Sequence, residues 1–342
     1  MFVFSEICFL RTFFAYREVI EMKILSELMG YRESIKVLDA TMRDGGLVND
    51  FYFSDDFVKA LYRTNIEAGV DYMEMGYRAS KKVFDESKFG KWKFCSDDHI
   101  REIVGENNTD LKIAIMADIG RHELDDFDQK VNSPVDVVRV ATYIHQMPEA
   151  IQMIEDAAKK GYETTCNIMA ISTSQKENIE VALDMVCQTP VDCIYIVDSF
   201  GAFYPEQMAR VAELYMEYGE KYNKKIGIHA HNNQQLAFAN TIEACGDGVD
   251  LLDATYLGMG RGAGNCAMEL LLGFLKNPKY DIYPVYKFVE NYMVKLKDEG
   301  NVWGYDLQYL MTGQLNQHPR MAIKFTGDKR RDYSEFYKEI TE

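Results

Sequence analysis

The feature that most limits the fold of this chain is an alternation of short apolar runs with amphipathic segments, from residue 35 to about residue 275. Eight runs have the composition of buried β-strands: residues 35–41, 71–77, 111–118, 135–142, 162–170, 191–198, 225–231 and 249–257. Strands that alternate with helices indicate a parallel sheet with crossover helices. Eight units within roughly 230 residues favour a closed α/β barrel, the (β/α)8 or TIM barrel, over an open doubly wound sheet. The open sheet remains an alternative, and it would require one or two of these strands to be absent.

The other segments divide the chain into three predicted parts. Residues 31–276 would form the barrel, and residues 277–342 carry helical patterns that predict a small helical appendage. Residues 1–30 form an N-terminal extension that begins with the apolar and aromatic stretch "MFVFSEICFLRTFFAY". Charged residues interrupt this stretch, so it fits neither a signal peptide nor a membrane span. We interpret it either as an amphipathic helix or as an extension of the gene model upstream of a true start at Met22.

The charge and the cysteines of the chain exclude several classes of partner and site. The 54 acidic residues outnumber the 38 basic residues, which gives a formal net charge of −16, and no stripe of Lys and Arg is present. Nucleic acid and membranes are therefore not expected partners. The seven cysteines are scattered and form no CxxC pair. This spacing excludes a four-cysteine zinc site and indicates reduced thiols in a cytoplasmic protein.

Polar residues cluster where the predicted strands end. The first strand leads into "MRDGG", and the seventh contains His229 and His231, whose spacing of two puts both imidazoles on one face. Because active sites of such barrels lie at the carboxyl ends of the strands, the histidines would face the catalytic end. Together with Asp44 they would form a set of two imidazoles and one carboxylate that can hold a divalent metal. Asn265, after the eighth strand, would lie nearby.

Each of these features also has a purely structural interpretation. The two histidines could be hydrogen-bonded groups of the core, and "RDGG" could be a turn. Arg139 and Glu74 could pair with each other inside the barrel. The sequence "GMGRGA" fits a dinucleotide-binding loop only loosely, because it follows the last strand instead of opening a first βαβ unit.

In combination, these residues resemble the metal-dependent aldolases and lyases called DRE-TIM metallolyases, the HMGL-like family. The resemblance covers about residues 35–275 and rests on "DATMRDGG", "VRVAT", "VDSFGAFYP", "GIHAHNNQQLAFAN" and "LGMGRGAGNCAMEL". It implies that a divalent cation, Mn or Mg, is bound by Asp44, His229 and His231. It also implies that Arg43 stabilises an enolate oxygen and acts in catalysis. The residues expected to contact the substrate are Arg43, Arg139, Ser199 and Asn265.

Within this family the chain looks most like the 4-hydroxy-2-oxovalerate aldolases, which implies reversible cleavage of a 4-hydroxy-2-oxo acid to pyruvate and an aldehyde. Those aldolases place a catalytic histidine three residues after the aspartate, where this chain has Leu47. Leucine cannot take a proton, so we expect His122, or else Tyr143 or Tyr256, to act as the base. The alternatives are condensation of an acyl-CoA with a 2-oxo acid, and a non-catalytic metal-binding barrel. The resemblance further implies a homo-oligomer, and contact between residues 277–342 and a dehydrogenase that receives the aldehyde.

Overall fold

A computed structural model describes residues 33–123 and 127–342 of the chain. It contains a closed barrel of eight parallel strands in which each strand pairs with the next and β8 pairs with β1. The strands are β1 (Lys36–Asp39), β2 (Tyr72–Tyr77), β3 (Lys112–Asp118), β4 (Val137–Thr142), β5 (Glu163–Ile168), β6 (Cys193–Asp198), β7 (Lys225–Ala230) and β8 (Leu251–Ala254). The predicted TIM barrel is confirmed, and the open sheet is excluded. The N-terminal stretch, which we interpreted either as an amphipathic helix or as an extension of the gene model, lies outside the described residues.

The strands are mostly apolar because both of their faces are covered. Every residue of β2, β4 and β6 is buried, as expected for parallel strands between a filled interior and a layer of helices. At the amino end of the barrel, large side chains fill the interior, among them Tyr72, Tyr195 and Leu251. Gly227 faces this layer, and a Cβ atom at that position would lie 2.6 Å from the Tyr195 ring. The interior therefore requires glycine there.

Helices cover the outside of the barrel. They are Asp55–Glu67, Asp97–Val104, Met147–Lys159, Lys176–Cys187, Pro205–Tyr222, Ala237–Gly246 and Met268–Leu275, and the short helix Thr41–Gly45 directly follows β1. Two of them begin with a serine cap, in which Ser54 accepts a hydrogen bond from the Phe57 amide and Ser96 accepts one from the His99 amide. None of the helices in residues 33–123 and 127–342 has the length and apolar character needed to cross a lipid bilayer.

The C-terminal region is helical, and its last three helices pack on the carboxyl end of the barrel. Its elements are Tyr283–Phe288, a π-helical turn Val289–Met293, Val294–Asp298, Leu307–Gln314, Arg320–Gly327 and Tyr333–Thr341. The last three share an apolar cluster that includes Phe325, Phe336 and, from the loop after β8, Ala263. Asn233 of the loop after β7 donates a hydrogen bond to the Tyr309 carbonyl, at 3.3 Å. These contacts bring the C-terminal helices next to the loops that form the catalytic end.

Candidate metal and active site

The ends of β1 and β7 bring together the three side chains that the sequence marked as candidate metal ligands. The Asp44 Oδ2 atom lies 3.1 Å from Nε2 of His229 and 3.4 Å from Nε2 of His231. One potential ligand atom from each residue lies within 4.8 Å of the other two. The second carboxylate oxygen of Asp44 is buried and has no hydrogen-bond partner among the described residues. The arrangement has the donor atoms and the spacing of a divalent-metal site.

The other nitrogen of each imidazole is held by a hydrogen bond. Nδ1 of His229 lies 2.9 Å from Oδ2 of Asp253, and Nδ1 of His231 lies 2.9 Å from the Asp198 carbonyl oxygen. A carbonyl can only accept, so Nδ1 of His231 carries the proton, and burial lowers the pKa of this ring and keeps it neutral. Its Nε2 lone pair therefore faces a carboxylate oxygen. Two acceptors at this distance repel each other unless a cation lies between them, so this donor set fits a bound metal.

A buried network of alternating charges supports the candidate ligands. It runs through Asp44, Arg43, Glu74, Arg139, Asp253 and His229. Arg43 Nε lies 2.8 Å from Glu74 Oε2, and Arg139 Nη1 lies 2.9 Å from the same oxygen. Arg139 Nη2 continues the chain to Asp253 Oδ2, at 2.6 Å. The pairing of Arg139 with Glu74 that the sequence left open is thus present. Each buried charge has an opposite neighbour, which offsets part of its desolvation cost.

Arg43 lies directly beside the candidate ligands. Its Nη1 atom is 3.5 Å from Asp44 Oδ2, and its Nη2 atom is 3.4 Å from His229 Nε2. Burial opposes ionisation of Asp44, but Arg43 and the two imidazoles outweigh it and hold the pKa of this carboxyl well below its usual value. Asp44 is therefore a carboxylate at neutral pH. The guanidinium is positioned to stabilise negative charge that develops on an oxygen near these groups.

A cavity of about 340 Å³ opens at this end of the barrel. Its charged lining residues are Arg43, Lys93, Arg121, Arg261, Arg320, Asp44 and Asp118. Five cations thus face two carboxylates, although the whole chain has a net charge of −16. This local excess of positive charge suits an anionic small molecule. A larger depression of about 760 Å³ lies at the opposite end of the barrel, around Lys36, and contains none of the predicted site residues.

Comparison with known proteins identifies the family. Residues 34–287 match the HMGL-like family model. The chain belongs to the HMGL-like family. This result confirms the resemblance to DRE-TIM metallolyases that the motifs indicated.

Two curated relatives and one solved structure are similar to this HMGL-like protein. Oxaloacetate decarboxylase of Mycobacterium tuberculosis is 29% identical over 247 residues, which cover 72% of this chain and 71% of that protein. A 4-hydroxy-2-oxovalerate aldolase of Bacillus cereus is 27% identical over 261 residues, which cover 75% and 74%. The N-terminal domain of a Bacteroides vulgatus protein, an aldolase by provisional assignment, has a TM-score of 0.70 at 27% identity, with coverage of 85% and 96%. The HMGL-like chain is an enzyme, a carbon–carbon lyase.

The predicted substrate-contact residues lie at different depths in this HMGL-like barrel. Ser199 lines the cavity, and its hydroxyl accepts a hydrogen bond from the Ala170 amide at 2.8 Å. Asn265 is buried and pairs through its backbone with His231, while its side-chain amide donates to the Met259 carbonyl at 3.1 Å. Arg139 is fully buried in the charge network and is not among the residues that line the cavity.

The predicted base candidates also differ in position. Tyr143 lines the cavity. Tyr256 is fully buried, and its hydroxyl donates to Asn65 at 3.0 Å. His122 is not part of the cavity lining, and its Nδ1 atom lies 2.9 Å from the Asp118 carbonyl oxygen. Leu47, which stands where related aldolases have a histidine, does line the cavity.

Lys93 and His318 are among the residues of the cavity wall that sequence reasoning missed. Lys93 follows β2 in "KFGKWKF", where the alternation of lysines and aromatic residues is the one local signal of an enclosed cation. His318 comes from the C-terminal helical region, and nothing in its local sequence connects it with the barrel mouth. Burial, followed by the charges of Arg261, Arg320 and Arg121, lowers the pKa of His318 to about 4, so its ring is neutral.

Proposed function

We propose that this protein is a divalent-metal-dependent aldolase that reversibly cleaves a 4-hydroxy-2-oxo acid to pyruvate and an aldehyde. The convergence of Asp44, His229 and His231 beside the guanidinium of Arg43 carries this proposal. The name of the Bacillus cereus relative supports it, since that protein is a 4-hydroxy-2-oxovalerate aldolase.

The metal ligands and Arg43 would have separate roles in the reaction. A cation held by Asp44, His229 and His231 would supply Lewis-acid polarisation of the 2-oxo group. Arg43 would neutralise the enolate oxygen while the bond between C3 and C4 of the substrate breaks. We propose Mn in preference to Mg, because two of the three protein donors are imidazole nitrogens and Mg prefers oxygen.

The buried network would keep these groups in position. Glu74 would hold Arg43 charged and oriented, and Asp253 would fix the ring of His229 so that Nε2 faces Asp44. Arg139 would act as a positioning residue, because it bridges Glu74 and Asp253 from a fully buried place. Ser199 and Asn265 would contact the substrate, and Asn265 would also lie near the metal.

A second candidate function is decarboxylation of a 2-oxo dicarboxylic acid, the reaction named for the Mycobacterium tuberculosis relative. The specific observation in its favour is Leu47, because loss of carbon dioxide requires no base to remove a hydroxyl proton. Three arginines, Arg121, Arg261 and Arg320, also act electrostatically on His318. Such a cluster of positive charge suits the second carboxylate of a dicarboxylic substrate. Condensation with an acyl-CoA would use the same enolate chemistry, and a requirement for CoA would distinguish it.

The test is release of pyruvate from a panel of 4-hydroxy-2-oxo acids and from oxaloacetate, with and without Mn. We expect metal-dependent release by the wild type and loss of both metal binding and release in His229→Ala. His99→Ala, on the outer helix Asp97–Val104, is the matched control and should behave as the wild type. Mn binding without release from any 2-oxo acid would support the non-catalytic barrel and contradict the proposed function.

We also propose an arrangement for the rest of the protein. Residues 31–276 would be the catalytic domain, and the helical appendage 277–342 would contact a dehydrogenase that takes the aldehyde. The enzyme would be a homo-oligomer in the cytoplasm, where the six cysteines of the described residues, all free thiols, would stay reduced. Purification from cells without any associated dehydrogenase would count against the proposed partner.

A further inference from the structure

The aldol cleavage proposed above needs a base for the 4-hydroxyl group, and the wall of the cavity contains a lysine, Lys93, that has no role so far. Lys93 ends the short 3₁₀ helix Lys91–Lys93 after β2, and it lines the same cavity as Arg43, Asp44 and Leu47. The residue is only 7% exposed. Its backbone is fixed, because its amide donates to the Gly90 carbonyl at 3.1 Å. The side chain therefore reaches the cavity from a rigid support.

Aromatic rings enclose the amine of Lys93. The Nζ atom lies 4.2 Å from the ring centre of Phe84, 4.4 Å from that of Tyr77, 5.0 Å from that of Phe51 and 5.8 Å from that of Phe89. Within the described part of the chain, no carboxylate forms an ion pair or a hydrogen bond with it. The amine is thus free to gain and lose a proton.

The protonation of this amine is tuned close to neutral pH. Burial lowers the pKa of Lys93 to about 8, with a smaller opposing effect from Asp118 and a smaller supporting one from Arg121. These two side chains lie 3.4 Å from each other, so Asp118 is already paired. Tyr77 is the other titratable group against the amine, and burial raises its pKa above 10, so it stays a neutral phenol. A base whose pKa lies near the operating pH is the most effective proton acceptor.

The amine lies next to the reacting end of the site. The Tyr77 ring contacts both cationic groups, since its centre lies 4.4 Å from Nζ of Lys93 and 6.0 Å from Cζ of Arg43. The Phe51 ring packs so closely on Gly46 that a Cβ atom at this glycine would lie 2.2 Å from the ring. The aromatic enclosure therefore contacts the segment after β1 that carries Arg43 and Leu47. In a 4-hydroxy-2-oxo acid, C4, which carries the hydroxyl group, is two bonds from C2, whose oxygen Arg43 would stabilise. The base must therefore lie near Arg43.

We propose that the amine of Lys93 accepts the proton of the substrate's 4-hydroxyl group, the role that the leucine at position 47 cannot fill. The neutral amine removes the proton, the C3–C4 bond breaks, and its electron pair becomes the enolate that Arg43 stabilises. The aldehyde leaves, and the ammonium returns the proton to C3, which gives pyruvate and restores the amine. No further reactant is required. The inference rests on the proposed aldol cleavage.

The experiment compares two reactions in Lys93→Met. We expect kcat for a 4-hydroxy-2-oxo acid to fall at least about 100-fold, while metal-dependent oxaloacetate decarboxylation, which removes no hydroxyl proton, changes less than about threefold. Lys93→Arg keeps the positive charge but cannot accept a proton, so it should lose cleavage to the same extent. Lys88→Met, at an exposed lysine outside the cavity, is the matched control.

The pH dependence provides a second measurement. Wild-type kcat/KM for cleavage should rise with pH through about 8 and then level off, and this ionisation should be missing from the residual activity of both variants. Equal loss of both reactions in Lys93→Met would overturn the proposal, because the amine would then hold the substrate or the fold. So would a covalent adduct between pyruvate and Lys93 after borohydride reduction, which would make it a nucleophile.

The activities of the wild type and of Lys93→Met distinguish a wrong function from a wrong base. If the wild type decarboxylates oxaloacetate but cleaves no 4-hydroxy-2-oxo acid, the proposed aldolase function is wrong and the base assignment goes with it. If the wild type cleaves these acids and Lys93→Met does so equally well, only the base assignment is wrong.

Discussion

Replacing Lys93 by methionine should make the folded protein more stable at neutral pH. The lysine is 7% exposed, and burial lowers its pKa from the usual 10.5 to about 8. At about 1.4 kcal/mol per pKa unit, folding with a charged amine at this place costs roughly 3 kcal/mol. Favourable contacts with the aromatic faces, about 0.5–1 kcal/mol each, reduce this cost. We therefore expect Lys93→Met to raise the free energy of unfolding by about 1–3 kcal/mol at pH 7, since methionine fills a similar volume without a charge.

The sign of the pH dependence follows from the same shift. The folded-state pKa lies below the unfolded-state value, so the cost is fully present below about pH 8 and disappears as the pH rises through 8 to 10.5. Urea unfolding of both proteins between pH 7 and pH 10.5 measures this effect. The advantage of the variant should be largest at pH 7 and shrink steadily. Lys88→Met, at an exposed position, should change stability by less than about 0.5 kcal/mol at every pH.

Two results would refute this reasoning. A less stable Lys93→Met at pH 7 would mean that the aromatic contacts outweigh desolvation, and that the amine is a structural cation. A constant difference across the pH range would mean that the amine is not enclosed.

Three further predictions follow from the contacts of the site and the barrel. Asp253→Asn weakens the support of His229 Nδ1 and should lower Mn affinity by about 10–100-fold in calorimetric titration; unchanged affinity would contradict it. Gly227→Ala puts a Cβ atom against the Tyr195 ring and should lower the free energy of unfolding by about 1–3 kcal/mol. A urea unfolding midpoint equal to that of the wild type would contradict this prediction. Arg261→Gln should raise KM for oxaloacetate more than KM for a 4-hydroxy-2-oxo monocarboxylate, and an equal rise would remove the support for a second carboxylate site.

The barrel and the candidate metal ligands could be predicted from the sequence because both rest on local patterns. Parallel strands that are covered on both faces are continuous apolar runs, so their number is visible along the chain. The alternation of side chains along a strand puts His229 and His231 on the same side whatever surrounds them. Asp44 follows β1 directly, and in a barrel the ends of all strands meet at one face.

The base candidates could not be ranked in this way. His122, Tyr143 and Tyr256 all follow strands closely in the sequence, yet of the three only Tyr143 is part of the cavity lining as described. A hydroxyl or imidazole near a strand end can point into the cavity, into the core or along the surface. The packing of the neighbouring loop decides which, and that packing is not a local property.

The sequence by itself determined the fold class and the family, and it named Asp44, His229 and His231 as candidate metal ligands, which the structure brings together. Only the tertiary structure decided that Lys93 and His318 share a cavity with them, because Lys93 comes from a 3₁₀ helix after β2 and His318 from the C-terminal helical region, which are distant in sequence. It also decided the proton affinity of Lys93. The pKa of a side chain depends on which groups surround it, and rings from residues 51, 77, 84 and 89 meet around this amine only after the chain has folded.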